Sequence, residues 1–335
     1  MHKWFGKVRK WPVILILPGL IMLISCEQDP DLLNPNSAGT WEVFNASNAL
    51  PGNNIRDIKL DSQGNLWFAC YGSGVAMYDG SSWTTYNTSN SNILSNNITC
   101  IEEDHEGDMW FGTSNGISFL VDGTDWYYLQ DPVIQYYINT IKRDSYGWVW
   151  TGTNGNGYIV YDGDFYFSTL YPVPELNVVN VIEEDASGDI WLGTDFGVLK
   201  WNWSQWDWIT SDNGLPYDEV WSLFSDSKGR MWIGTAGGAT TAYYSNNSIK
   251  DISLFNGQSF IVITDIFEDR RGDIWFATWF DGIIKYDGVF SESFKEFNGF
   301  LEDDVEAVAE DRNGNLWIGT YSKGAVRYNL PVNFK

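Results

Sequence analysis

The sequence predicts an all-β chain folded as a seven-bladed β-propeller of four-stranded blades, closed by an N-terminal strand that joins the last blade. Three observations predict it. The pattern Asp-x-x-Gly-x-apolar-Trp occurs seven times, at Asp61/Gly64/Trp67, Asp104/Gly107/Trp110, Asp144/Gly147/Trp150, Asp185/Gly188/Trp191, Asp226/Gly229/Trp232, Asp269/Gly272/Trp275 and Asp311/Gly314/Trp317, with the Trp recurring every 40–43 residues. That period is one blade. Aromatic residues make up 17% of the 335 residues and Gly supplies 33, a pairing that suits short strands and tight turns. No stretch carries apolar residues at i, i+3, i+4 and i+7, which excludes helical and leucine-rich repeats of similar length.

Before the repeats, Lys3, Lys7, Arg9 and Lys10 occur without an acid, and an apolar run follows from Trp11 to Ile24. The run is short of the roughly 20 residues a membrane span requires, so residues 1–25 read as a secretory signal. Its end, Leu23-Ile24-Ser25-Cys26, resembles the bacterial lipobox, which implies lipidation of Cys26 and attachment to a membrane through that lipid. Residues 26–38 lack periodicity and form a flexible tether. Its acids Glu27, Asp29 and Asp31 resemble the export signals of Bacteroidetes lipoproteins, implying an outer-membrane lipoprotein on the cell surface or on the periplasmic leaflet.

The propeller itself is expected over residues 39–330, with a short tail at 331–335. Each repeat opens on an innermost strand with an apolar residue six and three positions before the Asp, as in Ile55 and Ile58 or Val305 and Val308. The Asp-x-x-Gly turn follows, its carboxylate accepting turn amides and its Gly taking the positive-φ position. The second strand carries the Trp, then Gly or Ala two residues on, small because a large neighbour packs there. Thr comes next in every copy but the first, where Cys70 stands. The third strand ends at Asp-Gly dipeptides such as Asp79-Gly80 and Asp287-Gly288, which favour two-residue hairpins. The outer strand is aromatic, with Trp83 and Tyr86, Trp126 and Tyr128, Phe165 and Phe167, or Trp206 and Trp208. The last repeat has too little chain for an outer strand. Residues 40–45, Thr-Trp-Glu-Val-Phe-Asn, match Ser82–Asn87 and supply it, so the ring closes without an open edge.

The runs Leu215–Thr235 and Leu301–Gly324 resemble the two-component regulator propeller repeat. In that family such propellers form periplasmic sensors of hybrid histidine kinases in Bacteroidetes, where they bind glycan fragments or scaffold a dimer. The resemblance therefore implies a sensing or scaffolding propeller. This chain departs from the kinase pattern in carrying no Tyr-rich domain and no kinase sequence after the propeller.

Twenty Lys and Arg against 44 Asp and Glu give a formal charge of −24, which excludes nucleic acid as a partner. Only two His are present, and His105 sits in a turn, so a Ser-His-Asp triad or a multi-His metal site has no material; no cofactor is implied. Acid pairs such as Glu102/Glu103, Glu183/Glu184 and Asp303/Asp304 lack the alternation of a calcium loop. Cys70 and Cys100 read as buried thiols, with an inter-blade disulfide the alternative. Binding is expected where the repeat tolerates variation, on the loops between second and third strands and between blades. Tyr71, Phe196, Trp279, Phe280 and Tyr321 occupy the former and Tyr136, Tyr137, Tyr171 and Tyr217 the latter. Trp279, Tyr321 and Tyr71 are expected on one side of the channel mouth. Aromatics with Asn and Asp on one rim suit a glycan, a peptide or an envelope protein. The alternative is a carboxylate-based hydrolase or lyase on that rim, similar to streptogramin lyases. If Cys26 is the lipidated residue, Cys26→Ala releases the protein from membrane fractions; unchanged retention of a signal-cleaved chain rules the anchor out.

Overall fold

A computed structural model describes residues 40–129, 136–163, 166–168, 176–237, 241–246, 248–252, 261–296 and 300–329. The leader, Cys26 and its tether, Phe165, Tyr171 and the C-terminal tail lie outside the described residues. Seven antiparallel four-stranded sheets follow one another along the chain. Six are built from consecutive strands. The seventh has the order 40–44, 325–329, 316–320, 305–310, so its outer strand comes from the N-terminal end. Thr40 pairs with Asn329, Val43 with Val326 and Phe44 with Ala325, which closes the ring as the sequence match of residues 40–45 to 82–87 requires.

The repeated Asp does more than cap its turn. Asp144 Oδ1 accepts the backbone N–H of Tyr146 and of Trp148, both at 2.9 Å, while Oδ2 accepts the indole N–H of Trp150 at 2.8 Å. The indole bond recurs in all seven blades, at 2.7–3.2 Å. It lets each Trp be buried with its polar N–H satisfied, and Trp191, Trp232, Trp275 and Trp317 are almost wholly enclosed. The turn Gly adopts the left-handed region, as at Gly314 with φ 87°.

Blades meet through the apolar side chains of the innermost strands. The small residue two positions after each Trp receives them: a Cβ on Gly319 would stand 2.7 Å from Ile55 Cγ2 of the next blade. The Thr after it donates its hydroxyl to a carbonyl at the start of the third strand, for example Thr113 to Gly116 at 2.8 Å and Thr320 to Gly324 at 2.8 Å. Cys70, in the same slot of blade 1, and Cys100 are free and buried. Burial pushes the Cys70 thiol up to about 12, and Cys100 is also raised.

A second tie joins consecutive turns. The Glu ending an innermost strand accepts the backbone N–H and hydroxyl of the residue after the Asp in the preceding blade: Glu103 from Ser62, Glu184 from Ser145, Glu268 from Ser227. The acid pairs of the sequence are spent this way. Glu102 and Glu183 pair with Lys59 and Lys142 at 2.7 Å, and Asp303 and Asp304 hold loop amides of Glu296 and Phe280. At the Asp-Gly hairpins Asp79 N–H donates to Ser82 O at 3.2 Å and Asp287 N–H to Phe290 O at 3.1 Å, each closing a two-residue turn, while the Asp side chain accepts the return amide of Ser82 or Phe290.

Replacing Asp144 by Ala strands two turn amides and a buried indole. We expect a loss of about 3 kcal/mol in denaturant unfolding, and a smaller one for Asp144→Asn, which keeps one acceptor; equal losses would show that the charge adds nothing.

Candidate functional site

The innermost strands carry a β-bulge at the same place in every blade, where pairing skips a residue between the first and third positions: Ile55/Asp57, Ile98/Cys100, Ile138/Thr140, Val179/Val181, Val220/Ser222, Ile263/Asp265 and Val305/Ala307. A bulge leaves its extra residue unpaired and re-aims the side chain. The seven bulged residues are Arg56, Thr99, Asn139, Asn180, Trp221, Thr264 and Glu306, and all seven line one cavity of about 250 Å³, joined there by Tyr137 and Trp279. Its wall therefore takes one side chain from each blade.

The ring is chemically lopsided. On one side Thr99, Asn139 and Asn180, from blades 2–4, offer amides and a hydroxyl, and Thr264 of blade 6 adds a hydroxyl between Trp221 and Glu306. Their donors are partly used in place: Asn139 Nδ2 donates to Val179 O at 3.1 Å, Asn180 Nδ2 to Val220 O at 3.1 Å and Thr264 Oγ1 to Val305 O at 2.7 Å. On the other side stands a charged and aromatic cluster from blades 5, 6, 7 and 1. Arg56 Nη1 lies 3.3 Å from Glu306 Oε2, and its guanidinium sits over the rings of Tyr71 (5.3 Å) and Tyr321 (5.6 Å). Glu306 Oε1 accepts the indole N–H of Trp279 at 3.2 Å, and Trp279 meets Trp221 edge to face at 4.7 Å. Trp221 in turn donates to Glu219 Oε1 at 2.8 Å.

Three of the rim aromatics singled out in the sequence, Tyr71, Trp279 and Tyr321, are thus brought together through Arg56 and Glu306. Phe280 joins at the edge, its ring 6.4 Å from that of Trp279 and its backbone held in the left-handed region by a bond from its N–H to Asp304. Phe196 and Tyr217 are exposed on blade 4 and on the segment leading into blade 5, without a contact to this cluster. Tyr136 is half-buried beside Tyr137, and it is Tyr137 that lines the cavity. Sequence reasoning missed Arg56, Glu306 and Trp221. The signal was present: the position after the first apolar residue of each innermost strand reads Arg, Thr, Asn, Asn, Trp, Thr, Glu, a varied position inside an otherwise uniform strand. The lining contains a single carboxylate and no His.

Burial raises several groups here. Tyr137 is pushed up to about 12 by desolvation and by its hydrogen-bonded neighbour Tyr71. Glu306 is raised by desolvation against the pull of Arg56 and Trp279. Beside the bulges, Asp57 and Asp265 accept the backbone N–H of Ile101 (2.7 Å) and Val308 (2.8 Å) from the following blade, and desolvation raises them to about 6 and about 7.

The fold is a seven-bladed propeller whose innermost strands surround a cavity at the channel. The two component regulator propeller family model matches residues 49–72, 92–115, 214–237, 257–280 and 299–322, so blades 1, 2, 5, 6 and 7 carry two component regulator propeller repeats. No curated protein matches the chain in sequence. Among solved structures, the extracellular domain of BT3049 of B. thetaiotaomicron, described as a hybrid two component system, is similar with a TM-score of 0.73 at 20% identity. That match covers 87% of this chain, and this chain spans only 42% of that one. Streptogramin B lyase is similar with a TM-score of 0.72 at 16% identity over 87% of this chain and 98% of the lyase. PorZ of Porphyromonas gingivalis, a surface component of the type-IX secretion system, matches with a TM-score of 0.65 at 19% identity, over 83% of this chain and 46% of its own. At these identities the likeness is one of fold.

The two raised carboxyls give the stability a pH dependence. Their folded values lie above the unfolded 3.8, so the folded chain holds protons that the unfolded chain has released between pH about 4 and 7. Their contribution is full below that window and lost as pH rises through it. Compared with an Asp57→Asn/Asp265→Asn double variant, the parent should lose urea stability from pH 4.5 to 8; parallel curves would show that neither group titrates there.

Proposed function

We propose that this is a non-catalytic binding propeller of the bacterial cell envelope that senses or scaffolds, anchored through Cys26 to the outer membrane and linked to two-component regulation. The observation that carries the reading is the cavity ringed by one bulged side chain from each blade, with an aromatic and charged cluster on one side and amides on the other. A ring stacks on the apolar face of a sugar or an amino-acid side chain, while Asn139, Asn180 and Glu306 hold hydroxyls or amides. About 250 Å³ accommodates one such unit, so the ligand is an oligosaccharide or peptide that inserts a single residue and leaves the rest on the rim. The repeats and the similarity to an extracellular domain of a two component system support a sensing role.

The likeness to streptogramin B lyase is not matched by catalytic material in the cavity. A carboxylate-based hydrolysis needs a second carboxyl about 5–9 Å from the first. The cavity lining offers Glu306 alone, already engaged by Arg56 and Trp279.

Screening glycan and peptide collections by thermal shift identifies the ligand. Trp279→Ala is then expected to weaken it by about 1–3 kcal/mol in calorimetry, as loss of a stacking anchor does, with little change in melting temperature. An unchanged affinity removes the stacking role, and turnover of any screened glycan would reverse the non-catalytic reading.

A further inference from the structure

The face opposite the cavity breaks the repeat in its own way. It is formed by the turns between first and second strands and the hairpins between third and fourth, which touch one another: Arg312 Nη2 in the turn of blade 7 donates to Asp79 O in the hairpin of blade 1 at 3.1 Å. Sister blades fill these loops with polar residues and Gly. Among the described residues the chain departs from this at five positions. Tyr146 and Trp148 replace residues that are Gln63 and Asn65 in blade 1. Trp203 occupies the slot held by Gly80 and Gly288, at φ 66°, a region that costs a bulky residue energy. Val289 and Phe290 stand where blade 1 has Ser81 and Ser82.

These residues are displayed. Tyr146 is 68% exposed, Trp203 37%, Val289 74% and Phe290 75%. Trp203 is fixed rather than loose. Its indole N–H donates to Gly188 O at 2.6 Å, and its ring meets Tyr146 (5.0 Å) and Trp148 (5.8 Å) edge to face. The result is two separate apolar points, one on blades 3 and 4 and one at the hairpin tip of blade 6.

Charge follows the same face. The turns of blades 5–7 carry exposed Lys228, Arg270, Arg271 and Arg312, whereas the corresponding turns of blades 1–4 carry no Lys or Arg. Arg270 pairs with Glu310, and among the other carboxylates of these turns Asp226, Asp269 and Asp311 are spent on indoles and turn amides and Asp273 pairs with Lys285 at 2.7 Å. Finally, Thr40, the first described residue, takes the place in blade 7 that Ser82 takes in blade 1 and so lies on this face.

We propose that this turn face seats on a phospholipid surface, with Val289 and Phe290 inserted, Trp203 and Tyr146 at headgroup depth, and the basic turns of blades 5–7 at the phosphates. Trp and Tyr favour that depth, and a small apolar tip flanked by cations inserts shallowly. Two small points apart suit a lipid surface better than a protein, whose interface needs a continuous patch of about 800 Å² per partner. The cavity then opens away from the membrane. The proposal rests on the Cys26 anchor for delivery to the membrane, but the face acts without it.

The test uses residues 27–335, which keep the whole compact unit 40–330 and lack Cys26. Sedimentation with vesicles of phosphatidylcholine and phosphatidylglycerol should show salt-sensitive binding, weaker on phosphatidylcholine alone. Val289→Asp/Phe290→Asp should reduce it at least tenfold. Trp203→Gly restores the residue of the sister blades, so it should reduce binding several-fold without lowering the melting temperature. Absence of binding, or variants that bind as the parent does, overturns the proposal. So does a dimer in light scattering that Phe290→Asp dissolves, since the face would then serve a second copy. If 27–335 fails to bind vesicles while the full chain stays membrane-bound through Cys26, the face fails and the anchor stands; vesicle binding by 27–335 together with a full chain whose Cys26 carries no lipid in mass spectrometry sinks the anchor alone.

Discussion

One carboxylate per blade, accepting an indole N–H across its own turn, is the interaction on which the ring depends. A Trp in the core of a sheet brings a large apolar area and a polar N–H that must be satisfied. The Asp six residues earlier satisfies it without another blade's help, and with its second oxygen fixes the turn that joins the first two strands. Each blade can therefore bury its Trp locally, and seven copies pack on one another by the same rule. The acidity of the chain follows in part. Seven of its 44 acids are internal fittings of turns, unavailable to ligands.

The ties between blades divide the molecule into a fixed face and a variable one. Glu103, Glu184 and Glu268 reach back to the preceding turn, so the turn side is stitched blade to blade by charged hydrogen bonds. At the other end the bulge releases one residue per innermost strand from the ladder, and nothing in the blade's own packing dictates what it is. Structure constrains one end of each strand, and the other is left for recognition.

This division explains what could be read from the sequence. Period, turn chemistry and closure repeat seven times, so each copy corroborates the rest; Thr40–Asn45 was recognisable as an outer strand because Ser82–Asn87 displayed the same pattern. Site residues do not repeat. Tyr71, Trp279 and Tyr321 were visible because a loop needs no large ring, but Arg56 and Glu306 sit inside strands, where alternation would have been trusted and the bulge breaks it. Phe196 and Tyr217 satisfied the same loop criterion as Tyr321 and stand apart from its cluster, because composition tells that a loop is unusual and not which blade faces which. Tyr146 and Trp203 went unnoticed for a related reason: the repeat was used to find what recurs, and their meaning lies in the departure from it.

The position of the charged cluster links recognition to closure. Arg56 and Glu306 are 250 residues apart in the chain and meet at the junction of blades 7 and 1, the blades that hold the two ends of the propeller. Tyr71 and Tyr321, which flank the guanidinium, are separated by the same junction. In an open array Arg56 would have no carboxylate and Tyr321 no cation. The strand 40–44, pairing across the end of blade 7, adds a backbone tie to the apolar packing of blades 7 and 1. A ligand held by this cluster binds the closed ring and not the opened one, so by mass action it strengthens the seam that forms its own site. Recognition placed elsewhere on the rim, between blades joined directly in sequence, would not gain that coupling.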